Sequence, residues 1–287
     1  TTDAEAPNVN TVQRFLEAGV QVGNDVEVNT ANESYVLWNW MIENTGSGAS
    51  NEDGTINTTA TLVDQTLGMS VSTYTGTGAN ATIGHGLGVA PTFVIIKRLT
   101  GAGYNPTVAV NSGDLNFSKR ANLDTTGIFA ASSTFFQDTN PSPTVITLGS
   151  NSNVNASSVP HVCYAFAPSQ FISIGSYEGN ANPNGAFVPT LNSLGVPLQP
   201  VWAIFKDIDA AYGWGIYDIE RNGYNGSNSN LMADATTVEG TTFQLDIVSG
   251  GIKMRHGSGV INTSNTYVYM AIGTPIIDVD GRIIAGR

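Results

Sequence analysis

Helical periodicity is nearly absent from the pattern of apolar and polar residues, and a period of two, as on the two faces of a strand, marks segments such as Tyr35 to Trp40. Runs of about six residues, rich in Val, Ile, Tyr, Phe and Thr, are separated by clusters of Gly, Asn, Ser and Pro. Met69-Ser70-Val71-Ser72-Thr73-Tyr74 precedes Thr75-Gly76, and Phe93-Val94-Ile95-Ile96-Lys97 follows Ala90-Pro91. The one helical candidate is Thr11 to Ala18, where Val12, Phe15 and Leu16 share a face before Gly19 stops it. The pattern predicts an all-β fold of antiparallel β-sandwich domains, jelly-roll or lectin-like, with short loops and almost no helix.

The strands recur in order. Ser72-Thr73-Tyr74-Thr75-Gly76 is echoed by Gly175-Ser176-Tyr177-Glu178-Gly179, and Ala90-Pro91 with its apolar strand is echoed by Gln199-Pro200-Val201-Trp202-Ala203-Ile204-Phe205-Lys206. A third element occurs three times. Val22-Gly23 leads through Val28-Asn29 to Tyr35-Val36-Leu37-Trp38-Asn39-Trp40. Leu148-Gly149 leads through Val154-Asn155 to His161-Val162-Cys163-Tyr164-Ala165-Phe166, and Ile261-Asn262 leads to Tyr267-Val268-Tyr269-Met270-Ala271-Ile272.

This collinearity divides the chain. Residues 1–42 hold the closing strands of a preceding copy, either left after removal of an earlier unit or completing a neighbour's sheet. Residues 43–67, with Gly46, Gly48, Asn51 and Gly54, read as a linker or exposed excursion. Repeat one spans 68–168, repeat two spans 169–274, and 275–287 form a C-terminal hairpin or tail. Parity within the closing strand puts Val36, Trp38 and Trp40, then Val162, Tyr164 and Phe166, then Val268, Met270 and Ile272 on the core face. The opposite face, with Tyr35, His161, Cys163, Tyr267 and Tyr269, is expected to meet solvent or a partner chain.

Composition narrows the chemistry. Eleven Lys and Arg against 23 Asp and Glu give a net charge of −12, which argues against partners held by phosphate contacts, whether nucleic acid or anionic membrane. Charged residues are 12% of the chain, against roughly 25% in an ordinary domain, so solubility falls to Asn, Ser, Thr and backbone. A hydrophobic fraction of 41% suffices for a sizeable core. The lone Cys163 excludes an internal disulfide, no Cys or His pair has zinc spacing, and no run reaches the roughly 18 apolar residues of a membrane helix.

Tyr74-Thr75-Gly76, Gly84-His85-Gly86-Leu87-Gly88-Val89-Ala90-Pro91, the Tyr35-to-Trp40 strand and Tyr267-Val268-Tyr269-Met270-Ala271-Ile272 together resemble a β-rich module of tailed-phage virion structural proteins. That module is commonest in phages of marine bacteria and cyanobacteria, often in tail fibre or receptor-binding proteins. The resemblance covers most of residues 15–274 and implies a fold and a virion context. It carries over no catalytic or ligand residues. The second unit departs from it, with Leu191-Asn192-Ser193-Leu194-Gly195 where the first has Gly84-His85-Gly86-Leu87-Gly88.

Several clusters invite a chemical reading. Asp207, Asp209, Asp218 and Glu220 surround Tyr212, Trp214 and Tyr217, an acidic and aromatic set suited to a sugar, and paired carboxylates hydrolyse glycosides. Tyr212, Trp214, Tyr217 and Asp218 are the candidate carbohydrate contacts; a solvated strand edge is the plainer account. Cys163 and His161 share a strand face without an orienting third group, so they read as a structural pair. The glycines around His85 are explained by a turn needing positive φ. Asp278-Val279-Asp280-Gly281 resembles the opening of a calcium loop, although a hairpin accounts for it better.

The sequence therefore points to a non-enzymatic virion surface protein with no catalytic residues, no cofactor and no resident metal. Its expected partners are other virion proteins, further copies of itself in a homo-oligomer, with a trimer favoured, and a host-surface glycan. The alternatives are a capsid decoration or head-fibre protein and, behind that, a glycan-degrading tailspike.

Overall fold

The computed structural model describes residues 2–277, apart from Ala18, 43–47, 222–224, 226 and 227. Asp278, Asp280 and most of the proposed C-terminal hairpin lie outside the described residues. The N-terminal segment opens with a hairpin, β1 (Val12–Leu16) and β2 (Gly19–Val22), then a single turn, α1 (Val26–Asn29). The expected helix at Thr11 to Ala18 is thus a strand. Phe15 is 73% exposed, and a helical stripe without a core to cover it yields to cross-strand pairing, which Arg14 and Gln13 reinforce through Gln21. Tyr35 to Trp40 belongs to no sheet.

The next block contains β3 (Ala60–Asp64), β4 (Met69–Thr75), β5 (Ala81–Gly84), β6 (Phe93–Arg98), β7 (Thr107–Val110), β8 (Lys119–Asn122), β9 (Ala130–Ala131), α2 (Ser133–Phe136), β10 (Val145–Leu148), α3 (Ser152–Asn155) and β11 (Pro160–Phe166). The last contains β12 (Ile172–Glu178), β13 (Phe187–Pro189), β14 (Leu198–Asp207), β15 (Trp214–Asp218), β16 (Leu231–Met232), β17 (Leu245–Val248), β18 (Gly251–Met254) and β19 (Thr266–Pro275). Residues 60–64, expected in a linker, instead form β3, which pairs with β4 and buries nearby Ile56 and Thr58.

The fold is all-β and antiparallel, and one strand order occurs twice. A seven-stranded sheet runs β3-β4-β11-β6-β7-β8-β9, and a five-stranded sheet runs β12-β19-β14-β15-β16. In each, the closing strand sits between two earlier strands separated by one strand in sequence, β11 between β4 and β6 and β19 between β12 and β14. Each large sheet carries a smaller one, β5 with β10 in the first block and β13-β18-β17 in the second.

Three cores result. One lies between the first large sheet and β5-β10, with Ile83, Ile146, Leu148, Ile96 and Cys163. A second lies between the other large sheet and its small partner, with Phe205, Tyr217, Ile252, Met254 and Tyr269. The third joins the two large sheets to each other through Phe93, Phe166, Trp202, Trp214, Met270 and Ile272. A large apolar side chain buried in any of them contributes roughly 1.5–3 kcal/mol.

This stacking corrects the parity reading. In the two complete copies the second face of the closing strand does not meet solvent, since His161, Cys163, Tyr267 and Tyr269 are buried, whereas Tyr35 of the first segment is 46% exposed. A strand central to a sheet covered on both sides has two apolar environments, and period two marks which core each residue enters.

Candidate functional site

A cavity of about 600 Å³ lies between the large sheets. The inward faces of β6, β11, β14 and β19 form its walls, and Trp38 and Trp40 close one side. Both tryptophans meet Trp202 edge to face, at 6.3 and 5.3 Å between ring centres, and such pairs add about 0.5–1.5 kcal/mol beyond burial. Lys97, Arg98, Asp3 and Glu5 reach its edge. Glu5 is tied down there by its N–H, which donates to the Leu99 carbonyl. The Trp202 indole N–H has no partner among the described residues. Predominantly apolar walls with a few polar groups are the usual character of a binding cleft.

Trp38 is anchored by its indole N–H, which donates to Asp218 Oδ2 at 3.0 Å. The same oxygen accepts from Arg221 Nε at 2.6 Å, and Arg221 also pairs with Glu239 at 2.9 Å. Burial alone would raise the Asp218 carboxyl; the hydrogen bonds from Arg221 and Trp38 outweigh it and hold the group below the usual carboxylate value.

The four sugar-contact candidates do not form one surface. Trp214 is buried against Phe93 and Phe129 and donates to the Asn122 carbonyl of the other block. Tyr217 is buried with its hydroxyl donating to the Phe243 carbonyl. Asp218 is committed to Trp38 and Arg221, and Tyr212 alone is exposed. Stacking on a sugar needs an open ring face, which Trp214 and Tyr217 lack. Alternation within one strand hid this, because both sides of β15 are covered. Asp218 also closes its strand, so Glu220 lies beyond β15, its N–H donating to Asp218 Oδ1.

The remaining reactive groups serve loops. Asp207 accepts from Asp209 N, Ala210 N, Thr263 Oγ1 and Asn265 Nδ2. Lys206, fully buried, donates to the carbonyls of Thr126, Asp207 and Tyr212, and burial pulls its pKa down to about 8. His85 accepts from Leu87 N on Nδ1, which leaves Nε2 to donate to the Ser142 carbonyl, and Gly86 and Gly88 take φ of +73 and +74 in that turn. Burial pushes the Cys163 thiol up to about 12. Among the described residues no group of three metal-ligating side chains occurs, and no helix is long and apolar enough to cross a membrane.

Sequence reasoning missed the residues that clip each block together. Asn155 Oδ1 accepts from Thr77 N, while Nδ2 donates to Ala79 O and Gly149 O. Asn262 repeats this with Asn180 N, Asn182 O and His256 O. The Tyr74 hydroxyl donates to Val154 O and its ring stacks on His161 at 5.2 Å; the Tyr177 hydroxyl donates to Ile261 O and its ring stacks on Tyr267 at 5.0 Å. The recurring Val-Asn and Ile-Asn dipeptides were the visible trace of this device.

Fold and cleft together define a class: an all-β protein of stacked sheets built on one strand order used twice, its reactive side chains engaged in structure. Within that class the chain belongs to a family of domains of unknown function, DUF7483, whose model matches residues 1–274. No curated protein and no solved structure matches it.

Proposed function

We propose that this is a non-enzymatic structural protein of a phage virion, a tail fibre or receptor-binding component whose exposed loops contact a host-surface glycan. The virion context rests on the resemblance carried by the repeated closing strands and the Gly84-to-Pro91 turn. The non-enzymatic part rests on one observation: Asp207, Asp218, His85, His161 and Cys163 are all buried, and the acids and histidines among them hold loops and strand ends through hydrogen bonds. Glycan contact then falls to the exposed Asn- and Ser-rich loops, such as Asn180 to Asn184, and to Tyr212. Weak sites of that kind gain by multivalency, which favours a homo-oligomer docked on other virion proteins.

Immunogold labelling of purified particles with an antibody against residues 170–274 tests the reading. Label at the tail supports it. Label over the head makes the protein a capsid decoration or head-fibre component, and unlabelled particles remove the virion assignment.

A further inference from the structure

The first 42 residues contain half of the same clip. Asn29 Nδ2 donates to Gly23 O, as Asn155 does to Gly149 O and Asn262 to His256 O. The Tyr35 hydroxyl accepts from Thr30 N, as the Tyr267 hydroxyl does from Thr263 N and His161 Nε2 from Ala156 N. The turn before it is alike too: α1 is capped by Asp25 accepting from Glu27 N, and α3 by Asn151 accepting from Asn153 N. These are the bonds internal to a closing half.

The bonds that reach the opening half are the ones unmade. In the two complete copies the Asn Oδ1 accepts from the loop after β4 or β12, and a tyrosine of that strand stacks on the His161 or Tyr267 position. Asn29 and Tyr35 are exposed and have no such partners among the described residues. Residues 34–42 make no backbone–backbone hydrogen bond among the described residues, whereas β11 and β19 are paired on both edges.

Equivalent positions of the three closing strands meet at one place. Trp38, Tyr164 and Met270, and likewise Trp40, Phe166 and Ile272, all line the cleft. Equivalent residues of three closing segments thus line one cleft, and two of the three segments are strands of a sheet.

We infer that residues 19–42 are the closing half of a third copy of this repeat, and that the cleft and the strand at 34–42 form the seat for its opening half, a polypeptide equivalent to β4 through β8. That partner supplies two strand edges to pair with 34–42, a tyrosine to stack on Tyr35 and a loop N–H for Asn29, and its apolar face covers the cleft. This is recognition by strand addition, and it does not depend on the glycan reading.

Fusing a second copy of residues 68–142 through a flexible linker ahead of the full chain supplies such a partner. Amide hydrogen exchange at residues 35–41 is expected to be near free-chain rates in the unfused protein and slowed about a hundredfold or more in the fusion. Unchanged exchange overturns the inference. So does protection in the unfused chain that rises with protein concentration, which would assign the strand to a second copy. Asn29→Ala gives an independent reading on the chain alone: it is expected to leave Tm unchanged while Asn155→Ala lowers it. An equal loss from both substitutions would mean that Asn29 already has its partners, and the inference would fail.

Discussion

Asn155 is fully buried and spends its amide on three backbone partners. Its replacement by Ala strands Thr77 N, Ala79 O and Gly149 O, so a loss of about 2–4 kcal/mol is expected in denaturant unfolding. Asn262→Ala should cost a similar amount. Cys163, with its thiol raised by burial, is expected to stay unmodified by thiol reagents in the native protein and to react fully in denaturant. Burial lowers the pKa of both His85 and His161. Near neutral pH both folded and unfolded states hold these rings uncharged; as pH falls through about 6.5 the unfolded chain takes up protons that the folded one refuses. Stability is therefore expected to decline from pH 7.5 to 5.5, and His85→Gln with His161→Gln should flatten that slope in a series of urea melts. None of this was legible from residue types, because a buried Asn and a loop Asn look alike until their partners are placed.

Among the elements, alternation located β4, β11 and β19 and a continuous apolar run located β6, whose Phe93 and Ile95 enter one core and Val94 and Ile96 the other. Alternation failed at β1, where Val12, Phe15 and Leu16 also fit one face of a helix, and at β3, which lies in a stretch rich in Thr and Gly that reads as linker. It also could not tell whether the Tyr35-to-Trp40 stretch has neighbours to pair with. What holds that stretch is the Trp38–Asp218–Arg221 link. Asp218→Asn keeps the shape but removes the charge that Arg221 and the indole share, and it should loosen Trp38. The expected result is a red shift of tryptophan emission, with little loss in the blocks themselves. The Asp218 carboxyl is held below its unfolded value, so this link should persist at neutral pH and be lost as pH falls through the folded pKa.

In the whole molecule, the two large sheets share a core that both blocks need. Trp214 of one block donates to Asn122 of the other, and Lys206 reaches Thr126 in the same way. The blocks are therefore expected to unfold in a single calorimetric transition rather than as two independent domains; two resolved transitions would show that the shared core adds little. The sequence by itself determined the all-β class, the order in which strands recur and the positions facing a core, because period and repetition are local properties carried by side-chain size and polarity. Only tertiary packing covered β11 and β19 on both faces, packed Trp214 and Tyr217 away from any sugar, and brought Trp38, Tyr164 and Met270 to one cleft. Those outcomes depend on which sheet stacks on which, and stacking is set by contacts between residues 80 or more positions apart, which no local pattern records.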